Sequence, residues 1–500
     1  MRYRRTRLKK AGTVLLAVMV LAGLWGSSLT ALATGTAQQG AENSQSTEMT
    51  EEEKKMKEEL DKAYKIPTES NSWEGWKKGP GTYGEAAIVM EADTGTILYA
   101  KDIDSKQYPA SITKVLTALV ALENSQMSDK VTFSHDSVAF LQPGDSSVGL
   151  KEGNVITMEQ ALYAMLLASA NEAAYAVGEN TGTNLGYDYD WFIQQMNTRV
   201  QELGGVNSNF VNTNGLHDKN HYTCARDMAL IGRELFKHPE FFKIVQTLQY
   251  TIPKSKTVEE HVFQQKDKML QPQNANYYKY AVGGKTGYTS DALSTLITMA
   301  DNGKMKLVCV VLRTHGKNVY PDTTKLLKYG FKNFRKISVS ELAPAEGVAG
   351  VSEEEESAYV VLPKKADTTE LETQLVPDGV GSEEGTLTYT YCGTQVGCVR
   401  VRLTEEYLKA NSLAEEEPEI SNTEKDSGDG ETHKEPGWLK KLKKYDKLGI
   451  LEKTGIDDRL CEMSHKELLT LDVAVILLAV LVVLFFVSLV ILLRKMRRRK

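Results

Sequence analysis

Between Pro109 and Glu123 the chain reads PASITKVLTALVALE, and this stretch does most to limit what the molecule can become. Val115, Leu116, Leu119, Val120 and Leu122 recur at helical spacing, with no Gly or Pro to interrupt them. Pro109 suits the start of a helix. A helix with so much apolar surface has to be buried, so it demands a sizeable core around it. Two polar residues ride on it. Ser111 and Lys114 are three apart, on one helix face, so the lysine amine can lie beside the serine hydroxyl. A free serine is a poor nucleophile near neutral pH, and a partly desolvated amine can act as its general base. Alone, a Ser-x-x-Lys pair is too short to carry a function.

Two later segments add to it. In LLASANEAAYAVGE, Ser169 and Asn171 flank Ala170 at the end of an apolar run. In AVGGKTGYTSDALSTLITMA, Lys285, Thr286 and Gly287 open a β-rich stretch. A second Lys-Thr-Gly at Lys453 to Gly455 lies in a charged segment without strand character, so the tripeptide alone means little. The order Ser-x-x-Lys, Ser-x-Asn, Lys-Thr-Gly matches serine acyl-transferases that react with penicillin.

On these motifs the chain resembles the D-alanyl-D-alanine carboxypeptidases, the low-molecular-mass penicillin-binding proteins. NTNGLHDKNHYTCARDMALIGRELF, GGKTGYT and LRTHGKNVYPDTTKLLKYGF also look like stretches of that family, and the likeness covers roughly residues 80 to 335. The resemblance implies an α/β (α+β) penicillin-binding/β-lactamase-like transpeptidase fold. It implies that Ser111 is the acylated nucleophile and Lys114 its base, with Ser169 relaying protons and Asn171 holding substrate. Lys285 and Thr286 would hold the substrate carboxylate in a Lys285–Tyr288 strand that also includes Gly287. The backbone N–H groups of Ser111 and Tyr288 would form the oxyanion hole. Implied partners are the D-Ala-D-Ala end of a peptidoglycan stem peptide and, as covalent inhibitors, β-lactams; no cofactor or metal is implied. Leu293 and Ser294 depart from the family pattern, which expects a small residue and then a bulkier one.

The ends of the chain speak of export. Residues 1–33 read as a signal peptide: a basic head (Arg2 to Lys10), an apolar stretch, and Ala31-Leu32-Ala33 as a cleavage site, with an uncleaved anchor as the alternative. Residues 34–80, rich in Gln, Ser and Glu with the mixed-charge run TEEEKKMKEELDKAYK, read as a flexible or marginally helical leader. Residues 81–335 form the catalytic domain, opening with a hairpin in AAIVMEADTGTILYAKD. Residues 336–405 turn β-rich and suggest a small all-β domain. Residues 406–470 are an acidic linker and a basic juxtamembrane segment. Residues 471–493 contain VAVILLAVLVVLFFVSLVILL, uncharged and long enough for a transmembrane helix, and 494–500 are a basic tail expected in the cytoplasm. The expected location is the cell membrane, single-pass, with the catalytic part outside.

A net charge of −6 over 500 residues, with no basic stripe interleaved with aromatics, argues against nucleic acid. Five cysteines are too few for a disulfide framework. A local Cys392–Cys398 bridge is feasible in an oxidising exterior, while Cys224 and Cys309 read as buried hydrophobes. His217 and His221 have helical metal-ligand spacing, but the turn-forming residues between them argue against zinc. GDSSVG at 144–149 lacks the spacing of a nucleophile elbow, and Gly283-Gly284 lacks the rest of a phosphate loop. Asp145 and Asp291 read as turn or surface carboxylates. Arg313 reads as a core-edge pairing residue, or else as a charge near the carboxylate pocket. Three rival readings share the chemistry or the fold: a class A β-lactamase, which lacks its Glu-x-x-Leu-Asn-like segment here, a DD-endopeptidase, and a non-catalytic antibiotic sensor.

Overall fold

The structure is a computed structural model that describes residues 49–352, 358–379 and 382–413. Its centre is a five-stranded antiparallel sheet, in the order Ile97–Lys101, Ala86–Glu91, Lys306–Thr314, Leu293–Asp301, Ala281–Thr289. The first two strands form the expected hairpin. Ala86–Glu91 is buried at every position, so neither face of the sheet meets water. Alternate side chains divide accordingly. Ile88, Met90, Val308 and Val310 join a core shared with the helices of residues 113–245. Val89, Leu307, Cys309 and Val311 join a second core on the opposite face, under the helix Val319–Asn333. The result is a layered α/β body.

The helical layer is an insertion between the second strand and the edge strand Ala281–Thr289. The helix Thr113–Asn124 runs through its middle, buried without a break from Thr113 to Ala121, as its apolar sequence requires. Met158–Leu167 starts at a capping box in which Thr157 and Gln160 satisfy each other's backbone, and Asn171–Asn184 follows after a three-residue turn. That turn carries the second motif.

Beyond the layered α/β body, Phe334–Ser338 pairs with Tyr359–Pro363, and a four-stranded sheet follows in the order Val348–Val351, Thr394–Leu403, Glu384–Tyr391, Leu371–Pro377. Burial alternates along Glu384–Tyr391, the mark of a sheet with one wet face.

Of the two readings of the leader, the helical one holds over residues 51–65, begun by a capping box between Thr50 and Glu53. This stretch packs down: Glu59 meets His315 at 2.6 Å and the ring of Tyr64 lies 5.1 Å from that of Tyr83. Further along, the buried Trp76 packs between Phe334 and Tyr391, at 5.9 and 6.1 Å between ring centroids. The leader thus joins the catalytic body to the β-rich part over residues 49–80. The question of a Cys392–Cys398 bridge, open in the sequence, is answered by two free thiols. Cys392 lies in the turn after Tyr391, and Cys398 sits opposite Thr388, several ladder rows away. At about 3.4 Å per row that spacing exceeds what a disulfide spans.

No helix among the described residues is long and apolar enough to cross a membrane. The segments 1–33 and 471–493, the basic tail 494–500 and most of the 406–470 linker lie outside the described residues.

Candidate active site

Ser111 sits in a tight 3-10 turn, Ala110–Ile112, which runs directly into the buried helix. Ala110 ahead of it is in the left-handed region at φ +50°, a conformation that costs a non-glycine residue about 1 kcal/mol or more. The turn is tight enough that Gly215 presses on the Ala110 carbonyl oxygen: a Cβ on Gly215 would come within 1.9 Å of it. Ser111 is half-buried and Lys114, one turn below, is fully buried.

The Lys114 Nζ makes three contacts: Ser111 Oγ at 3.0 Å, Asn171 Oδ1 at 2.8 Å and the Asn214 carbonyl at 2.6 Å. Burial holds this amine well below the usual lysine range, and the neighbouring positive charge of Lys285 pushes the same way. A neutral amine has two N–H groups and one lone pair. The amide oxygen and the carbonyl can only accept, so they take both N–H groups. The lone pair is left facing the Ser111 hydroxyl, which is the geometry a general base needs.

The opposite wall is built from the turn between two helices. Ser169, buried, is held at φ +64°, again left-handed for a side-chain-bearing residue. Asn171 opens the next helix, and its backbone N–H donates to the Ser146 carbonyl at 2.8 Å. Glu172, buried beside it, anchors the facing loop: its Oε1 accepts from the Ser147 hydroxyl at 2.7 Å and from the N–H groups of Val148 and Gly149 at 2.7 and 3.1 Å. Next to this wall a cleft of about 490 Å³ is lined by Ser147, Ala168, Phe263 and Lys266 among others.

The third wall is the strand Ala281–Thr289, which pairs only on its Leu293–Asp301 side in the sheet. Gly287 packs against the turn that holds Ser111: a Cβ on it would stand 2.9 Å from the Ser111 nitrogen and 3.0 Å from the Pro109 carbonyl. Only glycine permits that approach. The Thr295 hydroxyl donates to the same Pro109 carbonyl at 2.8 Å and ties the sheet to the turn. Lys285 is buried, with its Nζ donating to the Thr286 carbonyl at 2.8 Å. Burial lowers it to about 7, opposed by Asp267 and helped by Lys266. Asp267 is itself pushed up to about 6 by burial, and one of its oxygens has no hydrogen-bond partner. Thr286 is half-buried, and Tyr288 is 68% exposed.

The structure therefore brings Ser111, Lys114, Asn171 and Gly287 to one place, with Ser169, Lys285 and Thr286 on its walls. The other candidates fall elsewhere. Asp145 accepts from the Gln142 N–H, a turn carboxylate. Arg313 pairs with Glu85 at 3.0 Å and donates to the Asp291 carbonyl, a core-edge role. His217 stands at the surface, 3.7 Å from Asp291, while His221 is buried against Thr113, so the two imidazoles do not converge. Among the described residues, Glu123, Glu234 and His238 lie close enough to hold a cation, but the Arg199 guanidinium already bonds both carboxylates at 2.8 Å. The Asn214 carbonyl escaped the reading of the sequence, because a backbone acceptor has no side-chain signature, and so did the Glu172 carboxylate, whose partners are backbone N–H groups and a serine in a loop more than twenty residues away. The Asn-Thr-Asn-Gly turn was the one available hint.

A family model described as D-alanyl-D-alanine carboxypeptidase matches residues 77–316. The D-alanyl-D-alanine carboxypeptidase DacF of Bacillus subtilis is 31% identical over 260 residues, which is 50% of this chain and 62% of that protein. DacB2 of Mycobacterium tuberculosis is 30% identical, covering 51% of this chain and 84% of that one. A D-alanyl-D-alanine carboxypeptidase of a Streptomyces species is 31% identical, covering 49% and 85%. The match spans 62% and 65% of the longer relatives from Bacillus subtilis and Haemophilus influenzae.

Proposed function

Since this chain belongs to the D-alanyl-D-alanine carboxypeptidase family, we propose that it is a serine peptidase that removes the terminal D-alanine from peptidoglycan stem peptides. The observation that carries the reading is the Lys114 amine, whose two N–H groups are committed to Asn171 and Asn214 while its lone pair faces Ser111. Lys114 takes the Ser111 proton as Oγ attacks the carbonyl of the penultimate D-alanine. The developing oxyanion is met by the Ser111 and Tyr288 N–H groups. The peptide C–N bond breaks, the departing amine regains a proton by way of Lys114 and Ser169, and free D-alanine leaves. Lys285 and Thr286 hold its carboxylate until then. Water hydrolyses the Ser111 ester and returns the hydroxyl proton. The free edge of Ala281–Thr289 supports an extended substrate that adds to the sheet as a strand, with its backbone providing affinity. β-Lactams, which carry an amide beside a carboxylate, should acylate the same serine.

In this reading residues 1–33 direct export and residues 471–493 tether the protein in the membrane, leaving the catalytic body outside. The supporting features are the basic head, the uncharged run and the basic tail of the sequence.

The test is D-alanine release from diacetyl-L-Lys-D-Ala-D-Ala by the full chain, with Ser111→Ala beside it. Release that disappears in the variant supports the reading. Labelling of Ser111 by fluorescent penicillin without any release would move the substrate to a D-alanyl cross-bridge.

A further inference from the structure

The proposed mechanism leaves His221 and Thr113 without a task, yet they form a directed chain that ends at the nucleophile turn. His221 is 2% exposed, with its ring packed edge-on to Phe210 at 5.4 Å. The Val211 N–H donates to His221 Nδ1 at 3.1 Å. A backbone N–H can only donate, so Nδ1 presents its lone pair and the ring proton sits on Nε2. That Nε2–H points at Thr113 Oγ1, 2.8 Å away, and the Thr113 hydroxyl in turn donates to the Ala110 carbonyl at 2.9 Å. Every proton in the sequence Val211, His221, Thr113, Ala110 points the same way.

The Ala110 oxygen belongs to the peptide bond whose nitrogen is that of Ser111. Because this unit is planar and trans, fixing the oxygen fixes the direction of the Ser111 N–H on its other side. The peptide needs fixing, since Ala110 is held at φ +50° and Gly215 crowds its oxygen.

We propose that His221 and Thr113 are positioning residues that aim the Ser111 N–H into the oxyanion site. The proposal rests on the reading of Ser111 as the nucleophile. Burial pushes the imidazole down to about 3, with Asp218 opposing and Lys114 and His217 adding to the shift, so the ring stays neutral throughout the working range, in the tautomer that the Val211 N–H selects. A histidine that merely fills the core would affect stability alone. A positioning histidine affects the acyl step.

The test follows fluorescent penicillin acylation of the full chain over time, resolving pre-acylation affinity from the acylation rate. Loss of one oxyanion donor costs about 10²–10³ in rate, so mis-aiming one should slow acylation by about tenfold or more. Thr113→Val should show that loss with affinity within about twofold of the parent, and Thr113→Ser should restore the rate. The double variant Thr113→Val/His221→Gln should be no slower than Thr113→Val, because both break one chain. If circular dichroism shows Thr113→Val unfolded, His221→Gln supplies the same readout. A folded variant that acylates at the parental rate, or full additivity in the double variant, overturns the inference alone. A parent chain that takes no label overturns the proposed function, and the inference with it.

Discussion

Lys101, Lys114 and Lys285 are all buried in this one body, and the contrast between the first two shows what arranges a lysine as a base. Lys101, at the end of the strand Ile97–Lys101, donates to the carbonyls of Ala63, Thr82 and Gly84 at 2.7–2.8 Å and contacts the Thr82 hydroxyl at 3.1 Å. Lys114 has two such acceptors and a hydroxyl. Burial lowers both amines, but the balance of nearby charges differs. Asp322 opposes the shift at Lys101, which comes down only to about 8, whereas at Lys114 the deepening by Lys285 exceeds the opposition of Glu172. Lys101 thus remains largely protonated at neutral pH and uses its three N–H groups to pin the leader to the sheet. Burial alone does not make a base. The number of acceptors and the sign of the neighbouring charge decide which protonation state the site holds.

The comparison can be broken most severely at Lys114. Lys114→Met should slow penicillin acylation by about 10²–10⁴, the span of general-base assistance, in a chain with unchanged circular dichroism. Labelling within tenfold of the parent would place the base elsewhere. Lys101→Met should do the reverse. It leaves buried carbonyls without a donor, at a cost of about 3 kcal/mol in urea unfolding, while the folded protein still labels within about twofold. Equal damage to rate and stability in both variants would erase the distinction. The smallest effect is in pH. Lys285 holds a carboxylate only while protonated, and the free site titrates near 7. For a substrate with a free terminal carboxylate, kcat/KM should therefore fall as pH rises above about 7. Lys285→Arg, which keeps its charge, should flatten that alkaline limb even if it lowers the plateau.

How legible was this in the chain? The helix spacing of Ser111 and Lys114, the Ser169–Asn171 turn and the Lys285 strand all followed from side-chain identity, and the fold brings them together. What stayed hidden was of two kinds. Backbone groups such as the Asn214 carbonyl act through position, which no residue type encodes. The leader was hidden by its polar composition, since of its helix only Ala63 is buried. Its anchorage depends on a carbonyl given to Lys101 and on Trp76, whose aromatic surface in so polar a stretch was the available sign. Whether Cys392 and Cys398 pair stayed open, because nearness in sequence across a hairpin says nothing of the ladder row each one occupies.

The strand Ala86–Glu91 finds one of its two partners in Lys306–Thr314, more than two hundred residues later. Loop-closure entropy on that scale is met before the central pairing returns any of it, so this is a fold of high contact order. The turn that carries Ser111 and the helix behind it are local in sequence, but the wall provided by Gly287 depends on a sheet that only the segment from Ala86 to Thr314 can close. A chain truncated short of that closure would carry Ser111 and Lys114 without the wall that completes the site.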